Sequence, residues 1–289
     1  MELLRALAVF SEPPGREQRR IAAALELPPP SAADHTHLFV LQLVPYASIY
    51  LGGEGMIGGE ARDRVAGFWR ALGLVPPAEP DHLAALLGLY AALAEDELAQ
   101  TVPARAALRR QARAALLHEH LLSWLDPWLA KLAEIAPAAY LAWGELLADA
   151  LRLEAQTVLD GREPLPAHLR AAAPLEAPER TGGPAFLAGL LSPARSGLVL
   201  VRDDLARAAR DLGIGARVAE RRYVLRHLLG QDPAGTLRWL GAEAGRAARR
   251  PPVLAAPAVA AHWTDRAAAT ADVLDAARAA TTTEVTHAG

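Results

Sequence analysis

Apolar residues recur along the chain at helical spacing, and the alternation that marks half-buried strands is nearly absent. Val65, Phe68, Trp69 and Leu72 stand at i, i+3, i+4 and i+7, one stripe along a helix over roughly 60–73 that Gly73 ends. Leu83, Leu86, Leu87 and Tyr90 repeat the stripe over about 82–98, with Pro80 fixing the approach and Asp81 expected as the N-cap. Leu117, Leu121, Trp124 and Trp128 share a face of a longer stretch, 103–134, which Pro127 is expected to bend or break. Tyr140, Trp143, Leu147 and Leu151 align on a further helix over about 137–159.

Two segments depart from this amphipathic pattern. Residues 34–51, starting at Asp34 as an expected N-cap, are apolar on every side from Leu38 to Val44, which implies a helix in the middle of a bundle, kinked at Pro45. The first ten residues read as a short amphipathic helix. Gly52–Gly59 is a glycine-rich loop without the Lys-Ser/Thr ending of a phosphate-binding loop and without a strand before it.

From Gly161 to Pro184 the composition turns to Pro, Gly, Ala and charge. Shorter helices are expected beyond it over 202–212, 216–229 and 233–247, the last begun by Asp232 with Pro233 at its first position. Leu198–Val201 is a strand candidate with no partner strand, and the Ala- and Thr-rich tail is expected to fray from Thr281 onward. The expectation is an all-α fold in three parts. Residues 1–160 form a helical bundle with Phe39, Leu43, Phe68, Leu86, Trp124 and Trp143 buried, residues 161–181 form a linker, and residues 182–289 form a helical C-terminal extension with a disordered end. The region 182–250 has few large apolar residues for a core of its own, so it is expected to pack onto the bundle.

Composition narrows the function. The 289 residues include no cysteine, which removes disulfides, thiolate metal sites and thiol catalysis. All but one of the 30 basic side chains are arginine, yet the 33 acidic residues are interspersed and the formal charge is −3, so nucleic acid is not an expected partner. The apolar start of the chain is too short to span a bilayer and carries Glu2 where an export signal has positive charge, so the expected location is the cytoplasm, without membrane insertion.

The histidine pairs His35/His37 and His118/His120 are spaced i, i+2, which on a helix turns the two rings about 200° apart, a poor grip for one metal ion. No G-x-S-x-G elbow occurs, Ser196-Gly197 being the nearest approach to one. These features favour a protein that is not an enzyme and needs no metal or cofactor. The most specific local sequence is Glu79-Pro80-Asp81-His82 at a helix start. Capping and the helix dipole explain the proline and the carboxylates, but the dipole disfavours a charged His82 and leaves a largely neutral imidazole there.

Glu79-Pro80-Asp81-His82 resembles the E-P-x-D-H motif of the TorD-like chaperones, the TorD, DmsD and NarJ groups, here with no residue between Pro80 and Asp81. Further similarities run in the same order: Pro45-Tyr46-Ala47-Ser48 with Tyr50, the glycine-rich loop, the Val65/Phe68/Trp69 helix, and Glu119-His120-Leu121 leading to Trp124. The resemblance covers roughly residues 1–160. It implies an all-helical, non-catalytic chaperone that binds the apo form of a molybdopterin oxidoreductase subunit, or its N-terminal twin-arginine or vestigial signal peptide, until the cofactor is inserted. The client-binding residues it suggests are Glu79, Pro80, Asp81 and His82, with Tyr46, Tyr50, Trp69 and Tyr90 on neighbouring helices. Glu95-Asp96-Glu97, at the far end of the same helix, offer further carboxylates for client arginines. Two other classes compete: a small helical enzyme using His82 and Asp81 as an acid–base pair, and a structural helical adaptor.

Overall fold

A computed structural model of the chain describes residues 1–53, 55–215, 219–254 and 256–287, with side chains up to residue 281. It is all-α. The helices are α1 (Glu2–Phe10), α2 (Arg16–Ala24), α3 (Ala32–His35), α4 (Ala47–Leu51), α5 (Gly59–Ala71), α6 (Leu83–Ala99), α7 (Pro103–Ala115), α8 (Ser123–Ile135) and α9 (Ala138–Val158). They continue as α10 (Ala167–Ala171), α11 (Pro178–Thr181), α12 (Gly183–Leu191), α13 (Pro193–Ser196), α14 (Arg202–Asp211), α15 (Arg221–Gln231), α16 (Pro233–Ala248) and α17 (Pro257–His287). Two π-helical turns, Thr36–Gln42 and Leu116–Leu122, follow α3 and α7. Leu198–Val201, the strand candidate, is irregular chain, having no neighbouring strand to share its backbone hydrogen bonds.

The chain divides into two compact units. The first is residues 1–48, 57–170 and 252–260, and the second is residues 49–56, 171–251 and 261–289. Within the stretch 161–181, residues 161–170 thus group with the first unit and the remainder with the second. Of the end expected to be disordered, Ala288 and Gly289 lie outside the described residues, as do residues 216–218 of the helix expected over 216–229.

In the first unit α1 packs along α6 and α9, α6 along α7, and α8 against α9. Its centre is aromatic. Trp124, Trp128, Trp143 and Tyr140 are fully buried, and the ring of Phe39 meets Tyr140 edge-on at 4.9 Å and stacks on Trp128 at 6.0 Å. Such pairs add about 0.5–1.5 kcal/mol each beyond the area they bury. The Trp143 indole also donates to the Leu7 carbonyl at 3.0 Å, tying α9 to α1. Phe39, Leu43, Leu86, Trp124 and Trp143 are buried as their spacing predicts, whereas Phe68 is half-exposed.

The apolar run at 38–44 corrects the expectation of a helix enclosed on all sides: Leu38 and Phe39 face the core, but Val40 is 56% and Leu41 41% exposed. Wide π geometry from Thr36 to Gln42 and an extended break at Leu43–Tyr46 replace the single kinked helix, because Pro45 has no N–H to continue it. Ser31, not Asp34, is the N-cap, its hydroxyl accepting the Asp34 N–H. Pro127 does not break its stretch. Helix α8 restarts at Ser123 after the π turn, so the proline forgoes only the bond back to its first carbonyl. Gly73, at φ 78°, closes α5 by donating to the Arg70 carbonyl while Leu74 donates to Trp69, a Schellman ending.

Buried Asp126 pins residues 252–260 to this unit, one carboxylate oxygen accepting the Val253 and Leu254 N–H groups at 2.7 and 2.8 Å. The second unit has its own core, in which Leu190, Leu225, Leu228 and Leu240 pack with Ala267, Leu274 and Ala277 of α17. Helix α17 and Leu175 thereby supply apolar surface that residues 182–250 lack. Asp126→Ala leaves two buried N–H donors without an acceptor and is expected to lower stability by about 3 kcal/mol, measured as a fall in the urea midpoint, while Asp126→Asn recovers much of the loss.

Candidate functional site

The Glu79–His82 segment is held by a short antiparallel pairing with residues 45–47. Ala47 N–H donates to the Asp81 carbonyl at 3.0 Å, Leu83 N–H donates to the Pro45 carbonyl at 2.9 Å, and Tyr46 and His82 form a β-bridge between them. Two sequence features make this local geometry. Pro45 stops the helix before it, and Pro80 sits at the second position of a turn that the His82 N–H closes by donating to the Glu79 carbonyl at 3.3 Å.

Asp81 is 1% exposed and does not cap α6. Its Oδ2 accepts the Ser48 N–H at 3.1 Å, so the carboxylate caps the first turn of α4 instead. The N-cap of α6 is His82, whose Nδ1 accepts the Ala84 N–H at 3.1 Å. That bond fixes the proton of the neutral ring on Nε2. Burial lowers the His82 pKa, against the pull of Glu79 and Asp81. With Ser48 and Ala84 as their partners, Asp81 and His82 are arranged as caps of two helices, not as a base and its orienting carboxylate.

Tyr46 stands edge-on to His82 at 4.8 Å, and the exposed Glu79 carboxylate lies close enough to act on its hydroxyl. Burial, then this carboxylate, pushes the Tyr46 hydroxyl above the usual tyrosine range. Pro80 is buried and Trp69 half-buried, with its indole nitrogen unpaired among the described residues. Tyr90 is wholly buried in the first unit, donating to Glu154 at 2.7 Å under the Arg113 guanidinium. Tyr50 falls in the second unit and is buried there. Tyr46, Pro80, Asp81 and His82 are therefore brought together with Glu79, whereas Tyr90 is buried further along α6 in the same unit.

The acidic run at the end of α6 is already neutralised. Glu95 takes both nitrogens of an Arg5 fork, Asp96 pairs with Arg109, and Glu97 pairs with Arg113 at 3.2 Å. The free carboxylates lie elsewhere. A groove of about 580 Å³ runs between the α1–α2 corner and the start of α6, bordered by Glu12, Glu17, Glu79 and His82 over a floor of Ala8, Val9, Ala84, Ala85 and Gly88. Glu12 and Glu17 have no cation within salt-bridge distance among the described residues. Neither was visible as a site residue in the sequence, since no periodicity relates the α1–α2 corner to Glu79.

The two rings of the His118/His120 pair are used separately. His118 bonds the Pro164 carbonyl at 2.7 Å, and Glu119 accepts the Ala167 N–H that begins α10. His120 is buried against Phe68 at 5.1 Å and lies 6.4 Å from the buried ring of His168. No group of three potential metal ligands occurs among the described residues.

An all-helical protein with a carboxylate-bordered groove beside a histidine-capped helix start is the class that this geometry defines. Comparison with known proteins places part of the chain more closely: residues 15–130 match the family described as nitrate reductase delta subunit. This is a family of molybdoenzyme maturation chaperones, and the match bears out the resemblance to the TorD-like group. The matched segment contains Glu17 and Glu79–His82, while Glu12 precedes it. No curated protein and no solved structure matches the chain. No helix among the described residues is long and apolar enough to cross a membrane.

Two expected outcomes follow from these contacts. Asp81→Ala removes the α4 cap and leaves a buried N–H, lowering stability by about 2 kcal/mol in urea unfolding, and Asp81→Asn, which keeps an acceptor, costs less than half of that. Burial lowers the His120 pKa to about 4 and also lowers that of His168, the positive charge of Arg64 adding to both. Because the unfolded rings bind protons near pH 6.5 and the folded His120 only near 4, their stabilisation is complete above pH 6.5 and disappears as the pH falls toward 4. The urea midpoint of the native chain should fall between pH 7 and 5, and His120→Gln should flatten that slope.

Proposed function

We propose that this chain is a cytoplasmic, client-specific chaperone for a molybdopterin-dependent oxidoreductase. It holds the N-terminal segment of the apo subunit, a twin-arginine or vestigial signal, in the groove beside Glu79 until the cofactor is in place. The observation that carries this reading is the combination of three carboxylates at the groove, Glu12 and Glu17 without a cation among the described residues, with a floor of small apolar side chains.

Each element of the groove suits such a segment. Guanidinium groups pair with carboxylates through charge-assisted, often bidentate bonds, which strengthen as the segment covers them. Alanine and glycine along α6 let an apolar backbone approach closely, and burial of its side chains supplies the rest of the affinity. Asp81 acts one step removed, through the backbone pairing that aims Glu79 and His82 at the groove.

Pull-down from the native cell identifies the client, and calorimetry with its N-terminal peptide then tests the groove. Glu79→Gln and the pair Glu12→Gln/Glu17→Gln should each weaken binding by about ten- to a hundredfold, the range for hydrogen bonds to charged groups, with Tm unchanged. Replacing the peptide arginines by lysine should weaken binding too, since lysine lacks the bidentate fork. Unaltered affinity in all three cases would remove the groove as the binding site.

A further inference from the structure

The second unit contains a basic cluster that its folding does not explain. Helix α13 ends at Gly197, whose φ of 72° turns the chain so closely onto α17 that a Cβ there would lie 2.5 Å from the Ala267 nitrogen. This contact brings Arg195 of α13 next to Arg266 of α17, and both border the segment 172–175. Leu175 N–H donates to the Arg195 carbonyl at 3.0 Å, and the Arg266 guanidinium donates to the Ala172 carbonyl at 3.1 Å. One turn before Arg266, at i−4 on the same face of α17, stands His262.

All three side chains are half-buried, and each has a buried nitrogen without a partner among the described residues: Arg195 Nε, Arg266 Nη1 and His262 Nε2. No carboxylate among the described residues forms an ion pair with either arginine. Within the same unit Arg207 pairs with Asp204 and Glu243, Arg246 with Glu243, and Arg278 with Asp275. Two like charges drawn together and partly desolvated, with no counter-charge, are costly unless something supplies one. Burial and the neighbouring guanidinium both lower the Arg266 pKa, and burial lowers that of His262 to about 4, leaving a neutral ring.

We infer that Arg195, Arg266 and His262 form a binding site for a doubly charged oxyanion of the phosphate type. Arginine forks match the oxygens of phosphate in a bidentate manner, and two of them neutralise a dianion. The imidazole nitrogen adds a third polar contact. The site lies outside the segment matched by the family, so it is a property of this chain's C-terminal part.

Thermal unfolding of the full-length protein in inorganic phosphate, with acetate at matched ionic strength as the monoanion control, tests the assignment. Saturating phosphate should raise Tm by about 3 °C, and acetate should not. Arg195→Gln and Arg266→Gln should abolish the phosphate-dependent rise, while Arg238→Gln, at an exposed position, should keep it. Arg195 makes no side-chain hydrogen bond among the described residues and its charge opposes that of Arg266, so Arg195→Gln should unfold at or above the native Tm without phosphate and carries the test even if Arg266→Gln folds poorly. A phosphate effect of equal size in both variants, no effect in the native chain, or an equal effect of acetate would overturn the assignment.

Discussion

The buried carboxylate of Asp81 and the backbone pairing around it are the constraint on which the candidate site depends. One oxygen satisfies the Ser48 N–H, and the peptide groups on either side exchange hydrogen bonds with residues 45–47. A carboxylate beneath the surface is tolerated where hydrogen bonds replace its water, and here Oδ2 has a backbone donor at a helix start while Oδ1 has no partner among the described residues. With this anchor set, His82 is free to cap α6 and Glu79 is left at the rim with Tyr46 against it. The motif residues thus divide their work: Pro80, Asp81 and His82 build the corner, and Glu79 presents charge.

The same division explains why a helical bundle makes a groove at this place. Helices α1 and α6 pack along each other, and where α6 begins its residues Ala84, Ala85 and Gly88 are too small to fill the space beside Ala8 and Val9. A larger side chain at any of them would close it. The aromatic centre formed by Phe39, Trp128, Tyr140 and Trp143 fills the interior of the same unit.

Much of this was legible in the sequence because helical periodicity reports burial directly. The stripes ending in Tyr90 and Leu151 gave helices whose bounds agree with α6 and α9 to within a few residues, the longer stretch 103–134 is divided into α7, a π turn and α8, and Asp232-Pro233 marked the start of α16. The failures have physical causes. Val40 and Leu41 read as core because hydropathy does not reveal which apolar side chains a π turn rotates outward. Asp81 read as the cap of its own helix because a carboxylate's partner 33 residues away leaves no local trace. The acidic run 95–97 read as available because its arginine partners come from α1 and α7. Glu12 and Glu17 escaped for the converse reason, since only tertiary packing sets them across from Glu79.

Hydrogen–deuterium exchange of the full chain with and without its client's N-terminal peptide tests the central claim most directly. The groove account requires slowed exchange in residues 8–18 and 77–88, the two borders of the groove, with the aromatic centre at 124–143 unchanged. Protection confined to other surfaces, with both borders exchanging at their free rate while the peptide is bound, would contradict it.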